Sequence, residues 1–321
     1  MHGTAEAIQV EAPSALPRSL ARPSCPTCER RATATFLSGK EIAAELDARD
    51  RFFARRLDGR FSRDDLRDLT EVALGMPASI LRCMRCGVLV RDAVPGEEVF
   101  RDDRYDDEVL RRLHKMHART FREKEIDYRA LLPAAARVIE IGSYAGGFLA
   151  VGAEWGWSAI GTDIGRDPVR FCRGLGLDVR CHSLGDGGLD AGSFDAVFVW
   201  NCFEQVAKPR ELLAEAHRLL RAAGLLVIRF PDAGFYIRCE QESALDLLAY
   251  NGLLGWPHRF GYDTASARHL VEQHGFAFLR KLRRPAVRPL REAMRPWARE
   301  EEAALIGEGG HGWLELTFRR R

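Results

Sequence analysis

The amino-acid sequence predicts an α/β fold, and three observations carry that expectation. First, Val138–Asp163 changes element type in a fixed order. An apolar run (Val138, Ile139, Ile141) ends at a glycine-bearing turn (Gly142, Gly146, Gly147). An apolar-periodic helix follows (Phe148, Leu149, Val151, Ala153, Trp155), and a short strand at Ala159–Gly161 then delivers Asp163. Strand, turn, helix and strand, with an acid about 20 residues beyond the first glycine, is the layout of a Rossmann-like nucleotide-binding βαβ unit. Second, the rhythm continues downstream. A helix opens at Asp167-Pro168 with proline at its first turn and runs to Gly174; Asp178–Cys181 reads as a third strand. Phe194–Trp200 is apolar enough for a buried parallel strand. Third, two C-x-x-C knuckles, Cys25–Cys28 and Cys83–Cys86, precede this region and mark a small separate module.

The 321 residues allow one large or two modest domains, and 46% hydrophobic content is ample for a core. A net charge of +2 gives no electrostatic case for nucleic acid or a membrane surface as partner. No apolar run approaches the ~20 residues of a membrane-spanning helix. Residues 1–24 carry Pro, Ser, Ala and Glu without a periodic apolar face, which predicts a flexible tail. They also lack a basic-then-apolar signal pattern, so the expected location is cytoplasmic. In that setting the eight cysteines are expected as thiols or metal ligands rather than disulfides.

The module is expected to span residues 25–107. Its two knuckles can set four thiolates tetrahedrally around Zn²⁺ at ~2.3 Å, and four cysteine ligands leave no open position, so such a metal would be structural. Gly87 relieves crowding where backbone N–H groups turn toward sulfur. About 54 residues separate Cys28 from Cys83, far beyond the common ribbon gap. Two unrelated cysteine pairs or a redox C-x-x-C stay open on this spacing, although neither pair opens a helix of a thioredoxin-like unit. The gap itself reads as a helical insertion over 40–77. Ile42, Leu46, Phe53 and Leu57 fall near helical spacing, Asp58-Gly59 breaks the run, and Ser62 with Asp65 can cap a second helix through Leu74. Arg51–Arg56 mixes cations with aromatics, which reads best as a helix with Phe in the core and Arg in solvent. Val88–Val90 is expected as a strand, Pro95–Asp107 as a loop, and Arg111–Leu132 as one helix ended by Pro133.

The glycine turn does not read G-x-G-x-x-G, so a dinucleotide is not its expected ligand. Glu140 stands two residues before Gly142, where a carboxylate suits a cationic amine and would repel a pyrophosphate. On Glu140, Gly142 and Gly146 the chain resembles the class I S-adenosylmethionine-dependent methyltransferases, with Tyr144 in place of their middle glycine. With the two knuckles in front, it resembles bacterial members that carry an N-terminal zinc-binding segment, many of which act on sugars or natural-product scaffolds. The resemblance implies a seven-stranded methyltransferase sheet over 108–321 whose last two strands, Phe276–Leu282 and Trp313–Arg319, form an antiparallel pair at one edge. It also implies a cofactor-binding set: Glu140, Gly142, Ser143, Tyr144 and Gly146 at the methionine end, Asp163 at the ribose, Ser183 and Leu184 facing adenine, Asn201 and Glu204 bordering the methyl, and Ile164 completing it. Ser183 stands where the family often holds an acid, and Gln205 replaces a family histidine. Trp200-Asn201-Cys202-Phe203 lacks the Asn/Asp-Pro-Pro-Tyr/Phe signature of amino methylation of DNA or protein glutamine.

The remaining elements follow by pattern. Pro209 leads a helix with Leu212, Leu213, Ala216, Leu219 and Leu220 on one face, ended by Gly224; Leu225–Phe230 is the fifth strand. Residues 233–262 form a long connection at the carboxyl end of the sheet, where specificity loops lie. It supplies the candidate catalytic residues: His258 as general base, since an unperturbed imidazole titrates near neutral pH, then Tyr262 and Tyr236. Asp263 can cap a helix over Thr264–His274. Residues 285–309 read as an Arg-rich solvated cover that could serve as an oligomer interface. The expected activity is methyl transfer to a small molecule. Two other readings stay open: an RNA base methyltransferase gripping RNA through its zinc module, and a non-catalytic binding protein on a methyltransferase fold.

Overall fold

A computed structural model describes residues 24–31, 33–42, 79–92, 106–182, 188–235, 237, 258–282 and 313–321. The tail 1–23, most of the insertion over 40–77, the segment 95–105, Ser183, Leu184, Tyr236 and the excursion 285–309 lie outside the described residues.

The apolar runs become a seven-stranded sheet. Its strands are β4 (Arg137–Ile141), β5 (Ser158–Asp163), β6 (Asp178–Cys181), β7 (Phe194–Trp200), β8 (Leu220–Pro231), β10 (Phe276–Lys281) and β11 (Trp313–Arg320), in the spatial order β10-β11-β8-β7-β4-β5-β6. The five strands from β8 to β6 run parallel, while β11 lies antiparallel between β8 and β10. This is the mostly parallel Rossmann-like methyltransferase sheet, with the antiparallel pair at its edge.

Successive side chains on these strands point to opposite faces, and both faces are covered. Ile139, Ile141, Val197, Val199, Leu226, Ile228 and Phe230 share one core with α5 (Pro209–Leu219) and α6 (Thr264–Glu272). Val138, Ala196, Phe198, Trp200, Leu225 and Val227 share the other with α1 (Asp107–Arg122), α3 (Gly147–Glu154) and α4 (Arg166–Gly174).

Three boundaries differ from expectation. The single helix expected over Arg111–Leu132 starts earlier, because the Asp106 side chain accepts from the N–H of Glu108 and caps it. It also ends earlier, at Arg122, and a short turn of helix, α2 (Glu125–Tyr128), follows. The break lets Lys124 and Tyr128 both reach the buried Glu315 carboxylate on β11. The fifth strand begins at Leu220 rather than Leu225, and Gly224 does not end the helix. Ala223 takes the left-handed conformation instead (φ 58°), and the pairing of β7 with β8 shifts by a bulge between Phe194 and Ala196. Gly224 serves close approach: a Cβ there would stand 3.2 Å from the Asp195 carbonyl oxygen.

A second, four-stranded antiparallel sheet holds β1 (Thr33–Leu37), β2 (Ile80–Cys83) and β3 (Leu89–Arg91), and its fourth strand is β9 (Phe260–Gly261) from far along the chain. Leu89 pairs with Gly261 and Val90 with Phe260. Cys25, Cys83, Val88 and Val90 belong to the same core as β8 and α6. Arg210 at the start of α5 ties the first knuckle down, donating to the carbonyls of Pro26 (3.0 Å) and Thr27 (2.8 Å). Among the described residues no helix is long and apolar enough to cross a membrane.

Candidate functional site

The turn after β4 is shaped by three left-handed residues, Gly142 (φ 72°), Tyr144 (φ 45°) and Gly146 (φ 69°). The N–H groups of Gly142 and Ser143 both donate to the Thr162 carbonyl on β5, at 2.8 and 3.0 Å, folding the turn across the strand ends. A Cβ at Gly142 would stand 2.7 Å from the Cys202 sulfur, and one at Gly147 would stand 2.6 Å from His117 Cβ on α1. These glycines therefore serve close packing of the turn against its neighbours. Tyr144 holds a left-handed backbone conformation, which costs a non-glycine residue roughly 1–2 kcal/mol. Its N–H donates to Asp163 Oδ2 at 2.8 Å, which offsets part of that cost.

Two acids flank the turn. Glu140 is buried, and its Oε2 has no hydrogen-bond partner. Burial, reinforced by the nearby Asp163 charge and opposed by Arg229, raises its carboxyl well above the usual range. Asp163 accepts from Tyr144 on one oxygen and from Gly165 (2.8 Å) on the other. With the Ile164 N–H also directed at this carboxylate, its two oxygens keep room for about one further donor. Burial raises its carboxyl too, against the pull of the Gly165, Tyr144 and Ile164 N–H groups. Ser143 Oγ is also buried without a partner. A buried donor or acceptor left unsatisfied costs about 1–3 kcal/mol, and two such atoms lie beside this one turn.

The opposite wall comes from the end of β7. Asn201 (φ 54°) turns its amide oxygen to accept from Arg229 Nε at 2.8 Å. Glu204 is buried, and its backbone carbonyl accepts from the N–H groups of Arg259 (2.9 Å) and Phe260 (3.0 Å). That anchor brings His258 Nε2 within 3.4 Å of Glu204 Oε1. Burial pushes the Glu204 carboxyl up to about 7. Tyr262 is fully buried beside this pair, its ring 5.2 Å from Phe203 and 5.8 Å from Phe230. The structure thus brings Glu140, Ser143, Tyr144, Asp163, Asn201, Glu204 and His258 to the carboxyl end of the parallel strands.

Three neighbours escaped the sequence reading. His117 on α1 lies with its ring 6.3 Å from Tyr144, and burial, then Arg229 and His114, lowers its pKa. His114 Nδ1 meets the Ala145 carbonyl at 2.8 Å, pinning α1 over the turn. The i,i+3 spacing of His114 and His117 was the available signal. Arg229 is buried on β8, and a cation interrupting the apolar run Leu225–Phe230 was its signal.

Near β9 the sulfurs of Cys25, Cys28, Cys83 and Cys86 all lie within 4.8 Å of one another. Cys25 and Cys86 are 3.3 Å apart, Cys28 and Cys83 3.5 Å, Cys28 and Cys86 3.9 Å. A tetrahedron with 2.3 Å metal–sulfur bonds has edges of about 3.8 Å. The donor set and its spacing both fit a tetrahedral ion.

The family described as Methyltransferase domain matches residues 102–281, more than half of the chain. The chain belongs to this methyltransferase family. By family and fold it is a class I S-adenosylmethionine-dependent methyltransferase. A solved complex between the Haloferax volcanii Trm112 methyltransferase activator and a methyltransferase is similar, with 17% identity over 67% of this chain and 94% of that chain and a TM-score of 0.51. A methyltransferase from Mesorhizobium loti is similar with 18% identity over 61% of this chain and 97% of that one, at a TM-score of 0.46. No curated protein matches the chain.

Proposed function

We propose that this methyltransferase acts on a small molecule, a sugar or natural-product intermediate, held at the carboxyl end of the sheet. The observation that carries the reading is the bracket of Glu140 and Asp163, one acid with an unpartnered buried oxygen and the other a buried carboxylate at the end of the next strand. When bound, S-adenosylmethionine supplies an electrophilic methyl on a sulfonium, so what the protein adds is mainly alignment. Glu140, with Gly142, Ser143, Tyr144 and Gly146, holds the amino-acid end; burial alone favours the neutral carboxyl, and the arriving ammonium draws it into the ionised form. Asp163 and Ile164 hold the ribose end, and Ser183 and Leu184 face the adenine. Asn201 and Glu204 border the transferred group.

His258 and Glu204 form the proton-handling pair. A carboxyl near 7 and an imidazole 3.4 Å away can share one proton at neutral pH. His258 takes the proton of a hydroxyl or acidic carbon acceptor, and Glu204 orients the ring. Tyr262, buried beside this pair, and Tyr236 are the further candidates for that proton transfer. The four cysteines hold a structural Zn²⁺, which fixes the module of residues 25–107 against the catalytic domain of 108–321. Support for that ion is the sulfur geometry and the all-thiolate donor set.

Calorimetric titration with S-adenosylhomocysteine tests the reading. Glu140→Ala and Asp163→Ala, shown to be folded by circular dichroism, should each lose at least about tenfold in affinity, the ~1.4 kcal/mol of one charge-assisted hydrogen bond. Parental affinity in both folded variants overturns it.

A further inference from the structure

We propose that Arg229 makes the acceptor site selective for a molecule bearing a carboxylate. This deepens the small-molecule reading above and rests on it.

Arg229 stands on the face of β8 that α1 covers. Its direct cross-strand neighbours are Trp200 on β7 and Glu315 on β11. It is 5% exposed. Its Nε donates to Asn201 Oδ1, which fixes one edge of the guanidinium at the end of β7. Its Nη1 is buried and has no hydrogen-bond partner. No ion pair to Arg229 exists among the described residues.

Glu315 stands directly across from Arg229 and would be the natural counter-ion, yet it makes no ion pair with Arg229: Lys124 Nζ donates to its Oε2 and the Tyr128 hydroxyl to its Oε1. Lys124 and Glu315 are themselves 1% and 0% exposed. Lys124 has a second acid in the partly exposed Asp127 at 3.8 Å, whereas Arg229 has none within ion-pair distance among the described residues. The other acids within electrostatic reach, Glu140 and Glu204, are both pushed toward the neutral form by burial. A buried charge without a partner is costly, so an arriving anion gains what the protein forgoes in its absence.

Geometry favours a planar oxyanion. The guanidinium carbon lies 5.1 Å from the Trp200 ring centroid, 5.6 Å from Phe121 and 6.0 Å from Trp313. This aromatic collar keeps water away, which strengthens any charge pair formed inside it. Arginine presents a flat fork that matches a carboxylate. Placement favours the acceptor over the cosubstrate as the source. Arg229 lies two strands from β4, about 10 Å across the sheet from the turn at Gly142. It is hydrogen-bonded to Asn201, which the reading above sets at the border of the transferred methyl.

The test uses the full chain loaded with S-adenosylhomocysteine. Benzoate and its neutral isostere benzamide are titrated at constant ionic strength, and the emission of the indoles flanking Arg229 is followed. Benzoate should bind at least tenfold more tightly than benzamide. Arg229→Gln should abolish the preference, and Arg229→Lys, which keeps the charge without the fork, should reduce it several-fold and carries the test should the Gln variant fail to fold. Both variants should bind S-adenosylhomocysteine within threefold of the parent. Equal binding of the two probes, or a preference that survives both substitutions, overturns the proposal. So does loss of S-adenosylhomocysteine binding in either variant with 5′-methylthioadenosine binding retained, since Arg229 would then hold the cosubstrate's own carboxylate. A parent protein that binds no S-adenosylhomocysteine defeats the underlying reading instead.

Discussion

Replacing Glu204 by Gln should change how folding stability depends on pH. The Glu204 carboxyl moves from an ordinary value of 4.5 to about 7 in the folded chain, because it is buried. Its own backbone N–H, the Gln205 side chain and the Arg229 charge oppose the shift without cancelling it. A folded value above the unfolded one means that the native state binds the proton more tightly. The contribution is therefore fully present below pH 4.5 and is lost as pH rises toward and through 7. At about 1.4 kcal/mol per tenfold, the loss is on the order of 3 kcal/mol. Urea denaturation of the parent and of Glu204→Gln at half-unit steps from pH 4.5 to 8 isolates this group, because Glu140 and Asp163 titrate in both proteins. The stability difference should swing toward the Gln variant by about 3 kcal/mol across that range. A difference that stays flat with pH would show that Glu204 ionises normally in the folded chain, and the proton-sharing pair with His258 would fall with it.

Three further outcomes follow from packing and charge. Gly147→Ala places a methyl 2.6 Å from His117 Cβ and 2.8 Å from the Ala118 amide nitrogen, so α1 must move; a loss of about 1–3 kcal/mol is expected, read as a lower midpoint in thermal unfolding. Glu315→Gln removes the buried ion-pair partner of Lys124, leaving it the partly exposed Asp127, and should cost about 3–5 kcal/mol, while the paired change Lys124→Met with Glu315→Leu should recover most of it in the same assay. Elemental analysis of the purified chain should find one zinc per molecule, and Cys83→Ser should lower the occupancy together with the unfolding midpoint; a metal-free parent of unchanged stability refutes the structural ion.

The parallel strands were legible because each is a short apolar run bounded by turn residues. The bounds of Asp178–Cys181 and Phe194–Trp200 match those expected. Asp263 also caps α6 as its position implied, with Ser266 completing a capping box. What escaped is information that only tertiary neighbours hold. The expected helix over Arg111–Leu132 is periodic enough to continue, and it breaks because two of its residues are drawn to an acid nearly two hundred positions away. Gly147 reads as part of a ligand-binding turn, yet its missing side chain is what admits α1. Arg229 and His117 gain meaning only once the register sets which face of the sheet they share. A two-residue strand such as β9 carries no periodicity to detect.

That same short strand bears on how the chain can be cut. Because β9 completes the small sheet, a recombinant fragment starting near residue 107 would leave Phe260 and Gly261 with an open backbone edge. It would also unroof the ring cluster of Phe203, Phe230 and Tyr262, which abuts the cysteine knuckles. Such a fragment is an aggregation hazard rather than a minimal enzyme, and the two sheets are best expressed together.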